Sequence, residues 1–350
     1  MIRFLSSDRC RTLHSLIDKL IQSNVINSRT ALLDARGNFG DLATRYREYE
    51  WIQFDHNQTL EDLWNELNPH AKEWWDLLDI SEKQSPELPE LPGLEDISRL
   101  IFICQKLTTI DQDEEMVVVL PHPNHAIQLL GMAQQGPLLI ENLLEPLLNW
   151  WDNTRKSLSA VETFLRIKLP TSQQLRLTSQ WRQNFETLQA LTNDRKIHRF
   201  YLVLDGDHQN QCSLNRRISV CGMHAVTPSA LILSDLDIEV MAQLKEELDA
   251  SMMTTTSIDN LNEITLDRLE ISTKANLVFN ASQQSISVFL PGVSKKDLVI
   301  KQIGETVFLF YLGQKRALHL TDSLKALTCQ KGQMHLGWLT LSFNQPEQNA

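Results

Sequence analysis

The sequence predicts two folding regions in series: a mostly parallel α/β sheet with a helical insertion, followed by a small all-β sandwich. Three observations carry this. Short apolar runs such as MVVVL (116–120) and FYLVL (200–204) alternate with helical-period stretches over the first 250 residues, the pattern of βαβ units. Residues 126–196 are rich in Leu, Trp and Ile with few breakers, which reads as an all-helical insertion within that alternation. Beyond residue 276 the apolar period falls to two between glycine turns, as in a sandwich. The expected boundaries are 1–250 for the α/β region, 251–275 for a linker and 276–345 for the sandwich.

Taken in order, Ile2 to Leu5 is a short strand that breaks at Ser6-Ser7-Asp8, and Leu13, Leu16, Ile17 and Leu20 then fall at helical spacing. Thr30 to Asp34 reads as a second buried strand, ending in the turn-prone Asp34-Ala35-Arg36-Gly37-Asn38. A helical pattern runs from Leu60 to Leu78, broken near Asn68-Pro69; the proline-rich 81–93 reads as a loop, and 94–107 as a helix. Strands follow at 116–120, 200–204 and 229–233, with helices at 210–223 and 235–248, so at least five parallel strands are expected. Ser251 to Asp259 is polar and aperiodic. The alternating positions Ile286, Val288, Leu290; Leu298, Ile300; Val307, Leu309, Tyr311; and Leu339, Leu341, Phe343 supply the strands of the sandwich.

With 350 residues, 42% hydrophobic and 22% charged, the chain has material for one large and one small core. A net charge of -11 argues against a general nucleic-acid binder, which needs a basic patch to displace counterions. Cys10, Cys104, Cys212, Cys221 and Cys329 are widely spaced, without CxxC or zinc-type clustering, and read as reduced, mostly buried thiols. The apolar start is too short for a signal peptide, and no run reaches the roughly 20 apolar residues that span a bilayer. A cytoplasmic protein without a transmembrane segment is expected, with the plastid stroma as the alternative compartment.

The chemistry expected of such an α/β sheet would sit in the loop after the first strand, where phosphates meet backbone N–H groups and a helix N-terminus. That loop, Ser6 to Thr12, holds neither glycine nor lysine, and Asp8 adds a carboxylate. An ordinary solvated turn, with the helix capped by Ser7 or Asp8, is expected; Arg9, Arg11 and Thr12 are the groups that would contact an anion. The strand ending at Leu120 runs into Pro121-His122-Pro123-Asn124-His125 rather than into a magnesium-holding acid, and His122 with His125 makes only half of a metal site. Asp34 and Asp205-Gly206-Asp207-His208 lie at strand ends where open α/β folds place ligands. No catalytic set is complete, so no catalytic, cofactor or metal residues are assigned and no enzyme activity is expected.

The segment Ile286 to Phe343 resembles the α-crystallin domain of small heat-shock proteins. The residues are Val288 to Ile300 (VFLPGVSKKDLVI), a turn centred on Gly304, Val307-Phe308-Leu309, and Gly337-Trp338-Leu339-Thr340-Leu341. Those proteins assemble through an I-x-I tail that 344–350 does not contain, so cage assembly is not expected. Such a domain after an α/β region of this length is similar to the prokaryotic and plastid branch of the ArsA family, related to the arsenite-pump and tail-anchored-protein targeting ATPases. The layout matches at Arg3-Phe4-Leu5, Leu91-Pro92-Gly93, Ile127 to Gly131 and Tyr201-Leu202-Val203. The resemblance implies a P-loop-NTPase-like fold, but the family's glycine-rich loop would fall on Ser6 to Thr12 and its switch aspartate on Val119 to His122, where the motifs are missing.

A degenerate, non-hydrolysing member acting as a protein-binding, chaperone-like or scaffolding factor is therefore expected. The alternatives are a regulatory partner of an active ArsA-like paralogue, or an unorthodox nucleotide binder using Arg9, Arg11 and Asp205. The partner is then a protein client, a second copy in a homodimer, or the paralogue. The apolar stretch 137–151 supplies the candidate client or dimer surface, Leu138, Leu139, Leu143, Leu147, Trp150 and Trp151.

Overall fold

The computed structural model describes residues 1–37, 41–62, 65, 93–109, 114–139, 149, 152–153, 156, 186, 198–205, 211–234, 239, 242, 255–261 and 276–345. Seven strands form a parallel sheet in the order β3-β2-β4-β1-β5-β6-β7. They are β1 (Ile2–Ser7), β2 (Thr30–Asp34), β3 (Trp51–Gln53), β4 (Glu115–Val119), β5 (His198–Asp205), β6 (Ala230–Ser234) and β7 (Thr255–Ser257). The α/β expectation holds, and the seven strands agree with the expectation of at least five. Within the stretch expected to be a linker, 255–257 is a sheet strand and Ile258–Asn260 a 3-10 turn with Ile258 buried.

The chain divides into two compact units. One comprises Met1–Ala31, Glu114–Gly131 and Arg195–Ala350; the other comprises Leu32–Asp113 and Met132–Asp194. In the first, β1 pairs in parallel with β4 on one side and β5 on the other, Phe4 opposite both Val118 and Phe200. All three strands are apolar on both faces, because helices cover a parallel sheet on each side. Helix Cys10–Gln22 turns Leu13, Leu16, Ile17 and Leu20 inward, and each such side chain contributes about 1.5–3 kcal/mol when fully buried. Helix Pro123–Leu139 follows β4, and helix Gln211–Met223 precedes β6.

The second unit holds helix Leu94–Thr108, which opens at Gly93 in the left-handed conformation with Glu95 and Asp96 in its first turn, where acids suit the helix dipole. Its buried Arg99 pairs with both of those acids and lies 4.9 Å over the Phe54 ring, which in turn packs 5.4 Å from Phe102. Residues 56–62 are helical, which bears on the start of the 60–78 expectation; most of that stretch lies outside the described residues.

The C-terminal part of the first unit is antiparallel. Strands β10 (Val299–Ile303), β11 (Thr306–Tyr311) and β12 (Gln314–His319) form one sheet. Strands β13 (Thr328–His335), β14 (Trp338–Asn344), β9 (Ser285–Phe289) and β8 (Leu277–Asn280) form the other, in that order. The residues read as alternating, Ile286, Val288, Val307, Leu309, Leu339, Leu341 and Phe343 among them, share one core. Leu298 and Ile300 pack against it.

Helix Gln211–Met223 is built into this sandwich. Met223 belongs to the sandwich core. The Arg316 guanidinium donates to the Gly222 carbonyl at 2.6 Å, and Asn276 Nδ2 donates to the Ala225 carbonyl at 2.7 Å. His224 Nε2 meets Gln314 Oε1 at 2.7 Å. Carbonyls at a helix C-terminus lack intrahelical donors, and here the sandwich supplies one of them from a cation, which also suits the negative end of the dipole.

Candidate functional site

The carboxyl ends of β1, β4 and β5 bring the sequence candidates together in the first unit. Ser6 ends the apolar part of β1 and donates its hydroxyl to the Pro121 carbonyl at 2.5 Å, tying the β1 loop to the proline-rich segment after β4. Arg9, in extended conformation, is the N-cap of helix Cys10–Gln22 and makes no side-chain cap. The expectation that Ser7 or Asp8 caps this helix fails for a physical reason. The Ser7 hydroxyl is turned to the Arg9 backbone, donating to its carbonyl at 3.1 Å, while the Asp8 carboxylate is drawn away into an ion pair.

Asp8 is therefore no solvated turn residue, since its side chain is only 6% exposed. It pairs with Arg217 of helix Gln211–Met223, accepts the backbone N–H of Asp205 on Oδ2 at 3.2 Å, and has His122 Nε2 3.4 Å from Oδ1. A second carboxylate lies beside it. Asp205, 3% exposed, accepts the Thr12 hydroxyl at 3.0 Å and has Arg9 Nε 3.5 Å away on the same Oδ2. Two buried carboxylates thus meet cations or donors from four segments: the β1 loop, the segment after β4, the end of β5 and helix Gln211–Met223. A buried carboxylate survives ionised only when so paired.

Of the anion-contacting candidates, Arg9 and Thr12 are turned toward Asp205, and Arg11 is exposed. Asp34 belongs to the second unit, fully buried and held by Arg36, whose Nε and Nη2 donate to its two oxygens at 2.9 Å each. That fork is a structural pair closing the turn after β2. His125 sits at the start of helix Pro123–Leu139 and donates its backbone N–H to the His122 carbonyl, the contact of a turn. Asp207 and His208 lie outside the described residues, and among the described residues no cluster of three His, Cys, Asp or Glu side chains has metal-binding spacing.

Of the thiols, Cys104 and Cys221 are buried, and burial pushes each up to about 12, while Cys10 is exposed. Leu138 and Leu139 fall in the last turn of helix Pro123–Leu139; Leu143, Leu147, Trp150 and Trp151 lie outside the described residues. No helix among the described residues is long and apolar enough to cross a membrane.

Sequence reasoning missed Arg217, the cation on which the edge turns. It lies in a helix of ordinary composition far along the chain from Asp8, and only the return of that helix to the sheet edge brings the two together. The unpaired acid in a glycine-free loop was the available signal, because a buried Asp8 requires a cation from somewhere. Compared with models of known protein families and with curated proteins, the sequence matches none.

Proposed function

We propose that the chain is a degenerate ArsA-like protein that does not hydrolyse ATP and acts as a protein-binding, chaperone-like or scaffolding factor. The observation that carries the reading is the self-occupied sheet edge. Where a nucleotide of a P-loop protein would place its phosphates, this chain has its own carboxylate, Asp8, already held by Arg217 and the Asp205 N–H. The loop lacks the glycines that let backbone N–H groups converge on a phosphate and the lysine that bridges β- and γ-phosphates. An incoming polyphosphate finds Arg217 already neutralised by Asp8, and displacing Asp8 leaves it buried without its cation, a cost of about 3–5 kcal/mol.

A fold retained without its phosphate cradle is left with its surfaces, and the α-crystallin-like sandwich supports a role in contacting other proteins. The test is calorimetric titration with magnesium-ATP and magnesium-ADP together with a phosphate-release assay. Absence of binding at millimolar nucleotide and of release is the expected result; binding or turnover refutes the reading. One observation favours a second reading, an unorthodox nucleotide binder: Arg9 is 48% exposed at the edge with Arg11 beyond it. The same titration on an Arg9→Ala, Arg11→Ala variant decides it, since that reading requires binding that these substitutions remove. Pairing with an active ArsA-like paralogue is separated from a scaffold role by sizing the protein with and without such a paralogue.

A further inference from the structure

Two of the four hairpins of the sandwich share an unusual turn. Leu312-Gly313 joins β11 to β12 and Leu336-Gly337 joins β13 to β14, each a two-residue loop. In both, the leucine has positive φ, 47° at Leu312 and 46° at Leu336, and the glycine follows at 80° and 75°. Two residues at positive φ make the mirror-image turn that fits strand twist, and its first position favours Asn, Asp or Gly. A leucine there is strained and recovers only part of the gain of burial, since Leu312 is 48% and Leu336 50% exposed. Asparagine would relieve the strain and suit solvent better, so the fold alone does not account for either leucine.

Both turns lie at one end of the sandwich. The Leu290 N–H donates to the Gly337 carbonyl at 2.7 Å, Ser294 N lies 3.4 Å from the Tyr311 hydroxyl, and Val299 pairs with Phe310. The 290–298 connection therefore runs past both tips, and it carries the exposed Lys295 and Lys296. The charge of this region is opposite to that of the whole. Residues 276–345 contain seven Lys and Arg against three Asp and Glu, a net +4 within a chain of -11, which leaves -15 elsewhere. Six of the seven cations are lysines, all exposed; the seventh, Arg316, is buried.

We propose that this end of the sandwich docks peripherally on an anionic lipid surface, with Leu312 and Leu336 entering the interfacial layer and Lys295 and Lys296 meeting headgroup phosphates. Single half-exposed leucines at hairpin turns fit a fluid surface, which needs no complementary shape, better than the groove or strand edge that a polypeptide uses.

The test is co-sedimentation of the full chain with vesicles of phosphatidylglycerol and phosphatidylcholine, against pure phosphatidylcholine. Binding to the anionic vesicles is expected, weakened at high salt. A Leu312→Asn, Leu336→Asn variant should melt at the same or a higher temperature yet bind at least ten-fold more weakly, as should Lys295→Glu, Lys296→Glu. The opposite movement of stability and binding in the leucine variant separates docking from a folding defect. Binding that is absent, equal on neutral vesicles or unchanged in the leucine variant overturns the proposal. So does equally tight, leucine-dependent binding to poly-glutamate, which would assign the surface to an acidic polypeptide.

Discussion

Replacing Gly292 by alanine tests whether the sandwich and helix Gln211–Met223 are one structure. Gly292 ends the Leu290-Pro291-Gly292 turn at φ +71°, and a methyl group added there lands against the Asn215 carbonyl, 3.0 Å from its carbon and closer still to its oxygen. Two costs follow. An alanine in the left-handed region loses about 1–2 kcal/mol, offset by about 0.4–1 kcal/mol from the stiffer unfolded chain. The clash adds about 1–3 kcal/mol, because a helix carbonyl cannot rotate aside as a side-chain end can. Gly304 supplies the control, with φ +56° and nothing within 4 Å of an added methyl, so Gly304→Ala carries the backbone cost alone. Urea denaturation followed by circular dichroism should find Gly292→Ala less stable than Gly304→Ala by about 1–3 kcal/mol. Equal losses in the two variants would mean that the turn does not press on the helix, and the joint described here would be refuted.

Three further perturbations follow from the same region and from the sheet edge. Asp8→Asn removes the carboxylate that neutralises Arg217, so sulfate should raise the melting temperature of this variant by more than it raises that of the wild type; an equal effect on both would show that Asp8 does not occupy an anion position. Burial lowers Arg316 to about 10, the mark of a cation that has given up its hydration. Arg316→Met, which keeps most of the volume, should then cost less than about 1 kcal/mol or stabilise, whereas Arg316→Ala should cost about 2 kcal/mol or more for the cavity it leaves; the ranking is read from urea midpoints. Burial, partly opposed by the Gln314 hydrogen bond, holds His224 below its usual 6.5. It is neutral in both states above that value, and as pH falls below it the unfolded chain takes up the proton first, so stability is lost toward the lowered folded-state pKa. The difference in stability between wild type and His224→Gln should accordingly change between pH 7.5 and 5.5; a constant difference would place His224 in solvent.

Much of the fold was legible because burial on two faces writes long apolar runs. The strands around 2–5, 30–34, 116–120, 200–204 and 229–233 were all read from such runs, and each is present with bounds moved by a few residues. The two strands of the parallel sheet that escaped notice, β3 and β7, are its two edges. Each is three residues long and buries little beyond its first residue, so neither needs an apolar run. In the sandwich, β12 and β13 were hidden for related reasons. Arg316 occupies an inward row of β12, where alternation calls for an apolar side chain, because the row faces a helix end that accepts a cation. Strand β13 is an edge whose side chains are mostly polar. At the candidate site, the absence of glycine and lysine from Ser6 to Thr12 is plain in the sequence, but the ion pair between Asp8 and Arg217 depends on tertiary return and leaves no spacing signal.

The helix Gln211–Met223 links the two halves of this reading. Its middle carries Arg217, which holds Asp8 at the sheet edge, and its last turn carries Gly222 and Met223, which hold the sandwich. A helix that must move when a nucleotide enters or leaves is poorly served by a cation, a glycine turn and a hydrophobic core fixing its far end, since each contact resists displacement. The same arrangement suits a protein whose edge is permanently closed, in which Arg217 has no anion to release and the sandwich is carried as a rigid extension of the sheet. In hydrogen exchange the amides of 211–223 should be protected to the same degree as those of β14, and addition of magnesium-ATP should leave both unchanged.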